Sequence, residues 1–156
     1  MPPDASALIG AGDPPAVEHV HREGKSPVLV TCDHASRAVP RCLGKLGLGD
    51  PELALHIGWD IGAGAVTRDL SRLLDAPGIL TGYSRLVIDC NRDLEDPTSI
   101  PAVSDGVAVP GNRDLSGAER RRRIETLFRP YHATIERAID GFIARGVHPE
   151  IGRAHV

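Results

Sequence analysis

The stretch Pro27-Val-Leu-Val-Thr-Cys32, followed directly by Asp33-His34, decides the fold class. Its apolar and β-branched side chains predict a short strand that is buried on both faces of a sheet. A polar loop begins at the carboxyl end of this strand, and ligands of open α/β sheets bind at that edge. We therefore expect an α/β protein whose site lies beside Asp33 and His34.

Downstream segments extend this pattern along the chain. A stripe of aliphatic residues within 66–74 predicts a helix that runs from about Pro51 to Asp75. The apolar runs 79–81 and 85–90 predict two further strands. The resulting order of elements indicates a mostly parallel or mixed sheet that is flanked by helices.

A long helix is predicted near the end of the chain. Ser116 and Glu119 form a capping box, which marks its start, and the helical period continues to about Ala144. Pro130 lacks a backbone N–H, so we expect it to kink or split this helix. The four consecutive arginines 120–123 cannot share one helix face, and we expect them to form a solvated first turn.

Composition narrows the class of protein. The chain has 156 residues, a formal net charge of −3 and 41% hydrophobic residues, as in a folded globular protein. The negative charge argues against a nucleic-acid partner, and the lack of any run of about 20 apolar residues argues against a membrane partner. No signal peptide is visible and the three cysteines form no CxxC pair, so we expect a cytoplasmic protein with reduced thiols.

Two polar clusters follow apolar runs and are expected to meet at one edge of the sheet. The first is Asp33 and His34, and the second is Asp89, Asn91 and Arg92. An imidazole, a carboxylate and a guanidinium together suit a metal ion and a substrate that carries a carboxylate. The alternative for the histidine is that it only hydrogen-bonds its own loop.

Other residues could also bind a metal ion or a carboxylate, but their spacing in the sequence allows a second interpretation. His56 and Asp60 stand four residues apart, so they could supply two metal ligands from one helix face. A surface histidine and an acid at a helix start are the alternative interpretation of that pair. Arg85 and Arg92 could bind a carboxylate, or they could be structural partners of a nearby acid such as Asp89.

Taken in order, several segments closely resemble the N-formylglutamate amidohydrolase family over about residues 27–144. The resemblance implies hydrolysis of the amide bond of N-formyl-L-glutamate or a related N-acyl amino acid, and an α/β fold like that of zinc-dependent exopeptidases. The segments that carry it are Cys32-Asp-His-Ala-Ser-Arg37, His56-Ile-Gly-Trp-Asp-Ile-Gly62, Tyr83-Ser-Arg-Leu-Val-Ile-Asp-Cys-Asn-Arg92, Ser104-Asp-Gly106, Val109-Pro-Gly-Asn112 and Pro130-Tyr-His132.

The resemblance also implies roles for residues of this chain. It implies a zinc ion bound by His34 and a carboxylate, for which we choose Asp60, with Asp33 as the alternative. It implies that Asn91 and Arg92 hold the substrate carboxylate, and Arg85 is expected to assist them. The family's last zinc ligand and its general base are expected beyond the end of this chain, so we assign no catalytic residue here.

Three parts of the chain are expected to differ in character. We expect residues 1–26 to be a mobile arm with a short ordered piece near Val17–Val20, and residues 27–146 to be the N-terminal part of a single amidohydrolase domain. Ile151-Gly-Arg-Ala-His-Val156 is the translation of ATCGGAAGAGCACACGTC, which looks like a sequencing-library adapter. Residues 147–156 are therefore expected to be a non-native or disordered tail.

Two functional hypotheses follow. In the first, the chain is an inactive fragment of a metal-dependent amidohydrolase whose partner is a small N-acyl amino acid. In the second, it is a non-catalytic binding protein for carboxylated small metabolites. Turnover that depends on metal separates the two, because the second hypothesis requires ligand binding that survives a chelator.

Overall fold

The computed structural model describes residues 7–154, which form a four-stranded mixed sheet and a small two-stranded ribbon. The strands are β1 (Val17–Val20), β2 (Val28–Cys32), β3 (Gly78–Thr81), β4 (Val103–Ser104), β5 (Val107–Ala108) and β6 (Glu150–Arg153). The order across the main sheet is β1-β3-β2-β6, and β4 pairs with β5. Strand β2 is parallel to both of its neighbours, whereas β1 runs antiparallel to β3. The predicted α/β class is confirmed.

Helices connect and cover these strands. They are α1 (Asp50–Leu53), α2 (Ala63–Leu73), α3 (Gly117–Arg123) and α4 (Arg129–Ala144), with 3₁₀ turns at Arg41–Gly47, Pro97–Ser99 and Pro110–Asn112 and a π-helical turn at Ile124–Phe128. Within the part of the chain that the structure describes, no helix is long and apolar enough to cross a membrane.

The sheet is covered by helices on both faces. Helix α2 packs on β2 and β3, while α4 packs on β3 and β1. Side chains of a strand alternate between its two faces. Accordingly, Ile79 is buried in one cluster with Phe142 of α4, and its neighbour Leu80 is buried in another with Ala63 of α2. Burial on both faces explains why β2 and β3 are apolar without alternation.

The segment 85–90 is buried as predicted, but it is not a strand. Leu86 and Val87 are fully buried, yet their backbone follows turns instead of joining the sheet. Side chains replace the ladder bonds, because Asn112 donates to the carbonyl of Leu86 and Arg123 donates to the carbonyl of Val87. An apolar run predicts that a segment is buried, whereas the hydrogen-bond partners of its backbone determine whether it becomes a strand.

The helix predicted for residues 51–75 is interrupted. Helix α1 ends at Leu53, and the chain then turns until α2 begins at Ala63. Gly62 adopts a φ of +89°, a conformation that suits glycine, and this residue leads the chain into α2. His56 and Asp60 therefore do not share a helix face. The interpretation of this pair as two ligands on one helix is wrong, whereas the interpretation of His56 as a surface histidine agrees with the structure.

The long C-terminal helix begins and divides as predicted. The Ser116 hydroxyl accepts a hydrogen bond from the Glu119 N–H at 3.1 Å, which confirms the capping interaction. The π-helical turn separates α3 from α4, and Pro130 lies in the first turn of α4, where its missing N–H costs least. The division of the helix near Pro130 is thus confirmed.

The four arginines do not form a solvated turn. Arg123 is only 1% exposed, and its guanidinium donates to the Asn112 Oδ1 at 2.7 Å and to the Val87 carbonyl at 3.0 Å. Asn112 in turn donates to the carbonyls of Leu86 and Pro101. Burial lowers the pKa of Arg123, and Glu119 counters that effect. This polar network ties α3 to the segments that flank the site.

The two ends of the described chain are more ordered than expected. Leu8 is 2% exposed in the main core, and β1 forms the sheet edge beside β3. Residues 8–20 are therefore packed against the rest of the protein and do not form an unattached arm. They include the ordered piece that was predicted at Val17–Val20. Residues 150–153 form β6 beside β2 instead of a disordered tail. The predicted arm and tail also include residues 1–6 and 155–156, which lie outside the described residues.

Candidate active site

The site forms where β2 ends. Thr81, the last residue of β3, accepts a hydrogen bond from the Ala35 N–H and donates to the Asp33 carbonyl, so it fixes the loop that carries Asp33 and His34. Asp60 joins this loop because its N–H donates to the His34 carbonyl at 3.0 Å. The site is thus built at the carboxyl end of a central parallel strand, as predicted.

His34 lies between two carboxylates in the interior. Its ring is completely buried, with Nε2 at 2.6 Å from the Asp89 Oδ1 and Nδ1 at 3.4 Å from the Asp60 Oδ2. The predicted meeting of the two polar clusters therefore occurs, even though 85–90 is not a strand. A neutral imidazole has one N–H and one lone pair, so a carboxylate at each nitrogen calls for either a second proton or a cation.

The geometry on the Nδ1 side fits a metal ion. Two ligands of a tetrahedral zinc, each bound at about 2.0–2.1 Å, are about 3.3 Å apart. The separation of the His34 Nδ1 and the Asp60 Oδ2 is 3.4 Å. On the opposite side of the ring, the Asp89 Oδ1 lies 2.6 Å from Nε2 and can accept a hydrogen bond from it, which is the arrangement of a carboxylate that orients a metal-bound histidine. His34 and Asp60 thus fit two positions of one zinc site.

Arg85 supplies a positive charge beside the carboxylates of Asp60 and Asp89. Arg85 bridges the two carboxylates, with Nη1 at 3.2 Å from the Asp60 Oδ1 and Nη2 at 3.3 Å from the Asp89 Oδ2. Burial alone would raise the pKa of Asp89, but His34, the Asn91 N–H and Arg85 together lower it below its ordinary value. Asp89 is therefore a carboxylate that accepts hydrogen bonds.

The described part of the chain brings no third protein ligand to this pair. Among residues 7–154, no group of three or more His, Cys, Asp or Glu side chains could hold a metal ion. His56 is 69% exposed and faces Asp105 at 3.1 Å, on the surface. Asp33, the alternative acid, accepts a hydrogen bond from the Tyr131 hydroxyl at 2.6 Å. The structure thus places Asp60, and not Asp33 or His56, against the His34 Nδ1.

A cleft adjoins the buried cluster. The Arg92 cleft, as we name it, has a volume of about 600 Å³, and its lining includes Asp33, Asn91, Arg92, His132 and Arg153. Arg92 is half-exposed, and its longer ion pairs with Asp89 and Asp96 measure 3.9 and 3.6 Å. A guanidinium in that setting can exchange these contacts for a ligand carboxylate.

Helix α4 supports both parts of the site from one turn. The Tyr131 hydroxyl binds the carboxylate of Asp33, while the His132 Nε2 lies 3.0 Å from the carbonyl of Cys90, the residue before Asn91. Burial raises the pKa of Tyr131, and the neighbouring Asp33 charge adds to this effect, so the hydroxyl stays a donor. From the sequence, Pro130-Tyr-His132 is recognisable only as a motif. The roles of its side chains are not predictable, because its contacts cross about 40–100 residues of chain.

The cysteines allow a test of this packing. Burial raises the pKa of the Cys32 and Cys90 thiols, whereas Cys42 lies at the surface. A raised pKa leaves less reactive thiolate at a given pH. In mildly alkaline buffer we therefore expect a chromogenic disulfide reagent to modify Cys42 rapidly and the other two only after denaturation. The Cys42→Ser chain should show almost no rapid phase, and rapid reaction of all three thiols would contradict the described packing.

Comparison with known proteins agrees with these observations. The family model of N-formylglutamate amidohydrolase matches residues 26–155. The chain is 30% identical over 138 residues to an N-formylglutamate deformylase of Pseudomonas putida, an alignment that covers 76% of this chain and 47% of that protein. The crystal structure of gene product Atu2144 from Agrobacterium tumefaciens matches with a TM-score of 0.92 and 36% identity, over 95% of this chain and 59% of that chain.

The α/β fold and these matches together place the chain among the proteins of an amidohydrolase family. More narrowly, the chain belongs to the N-formylglutamate amidohydrolase family. The family resemblance drawn from the motifs is confirmed. The chain spans about half the length of the curated relative it matches.

Proposed function

We propose that the chain contributes to metal-dependent hydrolysis of the amide bond of N-formyl-L-glutamate or a related N-acyl amino acid. The observation that carries this proposal is the buried His34 between Asp60 and Asp89, beside a cleft that contains Asn91 and Arg92. The first group offers ligands for a Lewis acid, and the second offers donors for a carboxylate. Together they suit the cleavage of an amide bond next to an amino-acid carboxylate.

In this proposal each residue has a separate task. His34 and Asp60 would hold a zinc ion, which supplies an activated water and polarises a carbonyl when it is bound. Asp89 keeps the proton on the Nε2 of His34, so that the Nδ1 lone pair faces Asp60. Arg85 fixes both carboxylates. This arrangement orients the ligand atoms before any substrate binds.

The substrate would be oriented by the Arg92 cleft. Asn91 and Arg92 bind the carboxylate of the amino-acid half in the Arg92 cleft. Arg85 lines a smaller neighbouring cavity together with Asp89 and Arg92, and it would assist from there. Anchoring that half directs the amide towards His34 and Asp60, because the cleft and the buried cluster share the segment 89–92. We assign no general base. We propose that this chain alone turns over weakly or not at all, since residues 7–154 offer two candidate zinc ligands.

Formate release tests the proposal. We would incubate N-formyl-L-glutamate with this chain and with the longest product of its gene, with zinc or with a chelator. We expect formate release by the longer product that the chelator abolishes, and little release by the chain. Robust turnover that ignores the chelator would contradict metal dependence. Robust, chelator-sensitive turnover by the chain would contradict its inactivity.

A non-catalytic role is the second candidate function. The observation that favours it is the Arg92 cleft itself, whose donors could bind a carboxylated metabolite without any metal. This function predicts binding of N-formyl-L-glutamate to the chain that is unchanged by a chelator. It also predicts no formate release from any product of the gene, which separates it from the hydrolase.

Arg92 gives the proposal a quantitative test. We expect Arg92→Ala to weaken binding of N-formyl-L-glutamate by about 10–100-fold, because a charged hydrogen bond to a carboxylate contributes about 1.5–3 kcal/mol. Zinc affinity should change less than about 2-fold, since Arg92 is half-exposed and its ion pairs are with Asp89 and Asp96. Calorimetry with each ligand measures both. The exposed Arg121 provides the control variant Arg121→Ala, and a parallel loss of zinc affinity would count against the assigned role.

A further inference from the structure

The carboxylate of Asp33 lines the Arg92 cleft but has no task in the proposed function. Asp33 is only 6% exposed and stands next to His34 in sequence, yet the residue that faces the His34 Nδ1 is Asp60. A carboxylate that is buried at the wall of a polar cleft carries a desolvation cost unless a donor or a cation meets it.

The two oxygens of Asp33 have different surroundings. Oδ1 accepts a hydrogen bond from the Tyr131 hydroxyl. Tyr131 is fully buried and holds the carboxylate in one orientation. Oδ2 is also buried, but it accepts no hydrogen bond from the residues that the structure describes. A carboxylate that is held in place, and whose second oxygen accepts no hydrogen bond from the described residues, is suited to a ligand N–H.

A cation already lies at this position. The guanidinium Nη1 of Arg153 is 3.2 Å from the Asp33 Oδ2, without the geometry of a hydrogen bond, and it donates to the Asn91 Oδ1 at 2.7 Å. Arg153 is the last residue of β6, the edge strand beside β2. The position between Asp33 and Asn91 is therefore one that attracts a nitrogen cation.

We propose that Asp33 binds the α-nitrogen of the amino-acid half of the ligand. This inference rests on the proposed function and assigns to the same cleft a preference for α-amino acids and their N-acyl derivatives over plain dicarboxylates. The Asp33 Oδ2 accepts the amide N–H of the substrate and pairs with the ammonium group of the product. Asn91 and Arg92, which line the same cleft, hold the carboxylate carbon two bonds away from that nitrogen.

Three ligands separate this role from general anion binding. L-Glutamate carries an ammonium group, N-formyl-L-glutamate carries an amide N–H, and glutarate carries the two carboxylates alone. We would measure each by calorimetry on the full chain with Arg153→Ala, which removes the competing guanidinium. We expect the two nitrogen-bearing ligands to bind at least about 10-fold more tightly than glutarate, as for a charge-assisted hydrogen bond.

Asp33→Asn in the same background provides the decisive variant, because asparagine keeps the size and can still accept from Tyr131. We expect the preference over glutarate to fall about 10-fold while glutarate affinity changes less than about 2-fold. Asp69→Asn, an exposed change of the same charge on α2, should alter none of the three. Equal weakening of all three ligands by Asp33→Asn, an unchanged preference, or no binding of L-glutamate would overturn the inference. If the preference is unchanged while Arg92→Ala weakens all three ligands, the inference fails and the proposed function stands.

Discussion

Replacing Arg123 by leucine is expected to lower the free energy of unfolding by about 3 kcal/mol or more. The guanidinium is 1% exposed and satisfies the Asn112 side chain and the carbonyl of Val87. Leucine fills part of the volume but donates no hydrogen bond, so buried acceptors lose their partner. Each such acceptor costs about 1–3 kcal/mol. Chemical denaturation followed by circular dichroism measures the change.

Two further variants make this expectation specific. Arg121→Leu, a matched change on the exposed side of the same helix, should stay within about 0.5 kcal/mol of the parent chain. Asn112→Ala should be destabilising, and the double variant with Arg123→Leu should cost less than the sum, because both changes remove one network. A similar loss for Arg121→Leu and Arg123→Leu would show that the buried contacts do not carry the effect.

Replacing His34 by alanine is expected to have the largest effect on metal binding. On the proposed zinc site this variant removes one of two protein ligands, and zinc affinity should fall more than about 100-fold. Asp89→Asn removes the negative charge behind the histidine and the ion pair with Arg85, so a smaller loss of about 10–100-fold is expected. Competition with a chromophoric chelator measures both affinities, and circular dichroism establishes that each variant is folded.

His56 supplies the matched control for that experiment. Its ring lies on the surface beside Asp105, so His56→Ala should change zinc affinity less than about 2-fold. This control also distinguishes the two histidines that stood at plausible ligand spacing in the sequence. Zinc binding that survives His34→Ala but is lost in His56→Ala would contradict the proposed site.

The sequence was sufficient for the elements whose local pattern and tertiary role agree. The apolar runs of β2 and β3, the capping residue Ser116 and the break near Pro130 are all local signals. The polar loop after β2 was also readable, because the end of a central strand predicts a site by topology alone. These signals located His34 and the family resemblance, and they needed no knowledge of distant contacts.

The remaining features depend on contacts between distant parts of the chain. Residues 85–90 have the apolar pattern of a buried strand, but Asn112 and Arg123 bind their carbonyls and hold them in turns. The burial of Arg123 cannot be read from a run of four arginines, since its partners lie in other segments. The same holds for the roles of Tyr131 and His132, whose motif is local but whose hydrogen bonds are not.

The adjacent positions of Tyr131 and His132 on α4 limit how this site can evolve. One turn of helix supports the Asp33 loop through its tyrosine and the Asn91 loop through its histidine. A substitution that rotates or shifts this turn moves the two loops together, so neither can be adjusted alone from the helix. New ligand preferences are therefore more accessible through changes in the loops themselves, whose side chains can vary while the turn that supports them stays in place.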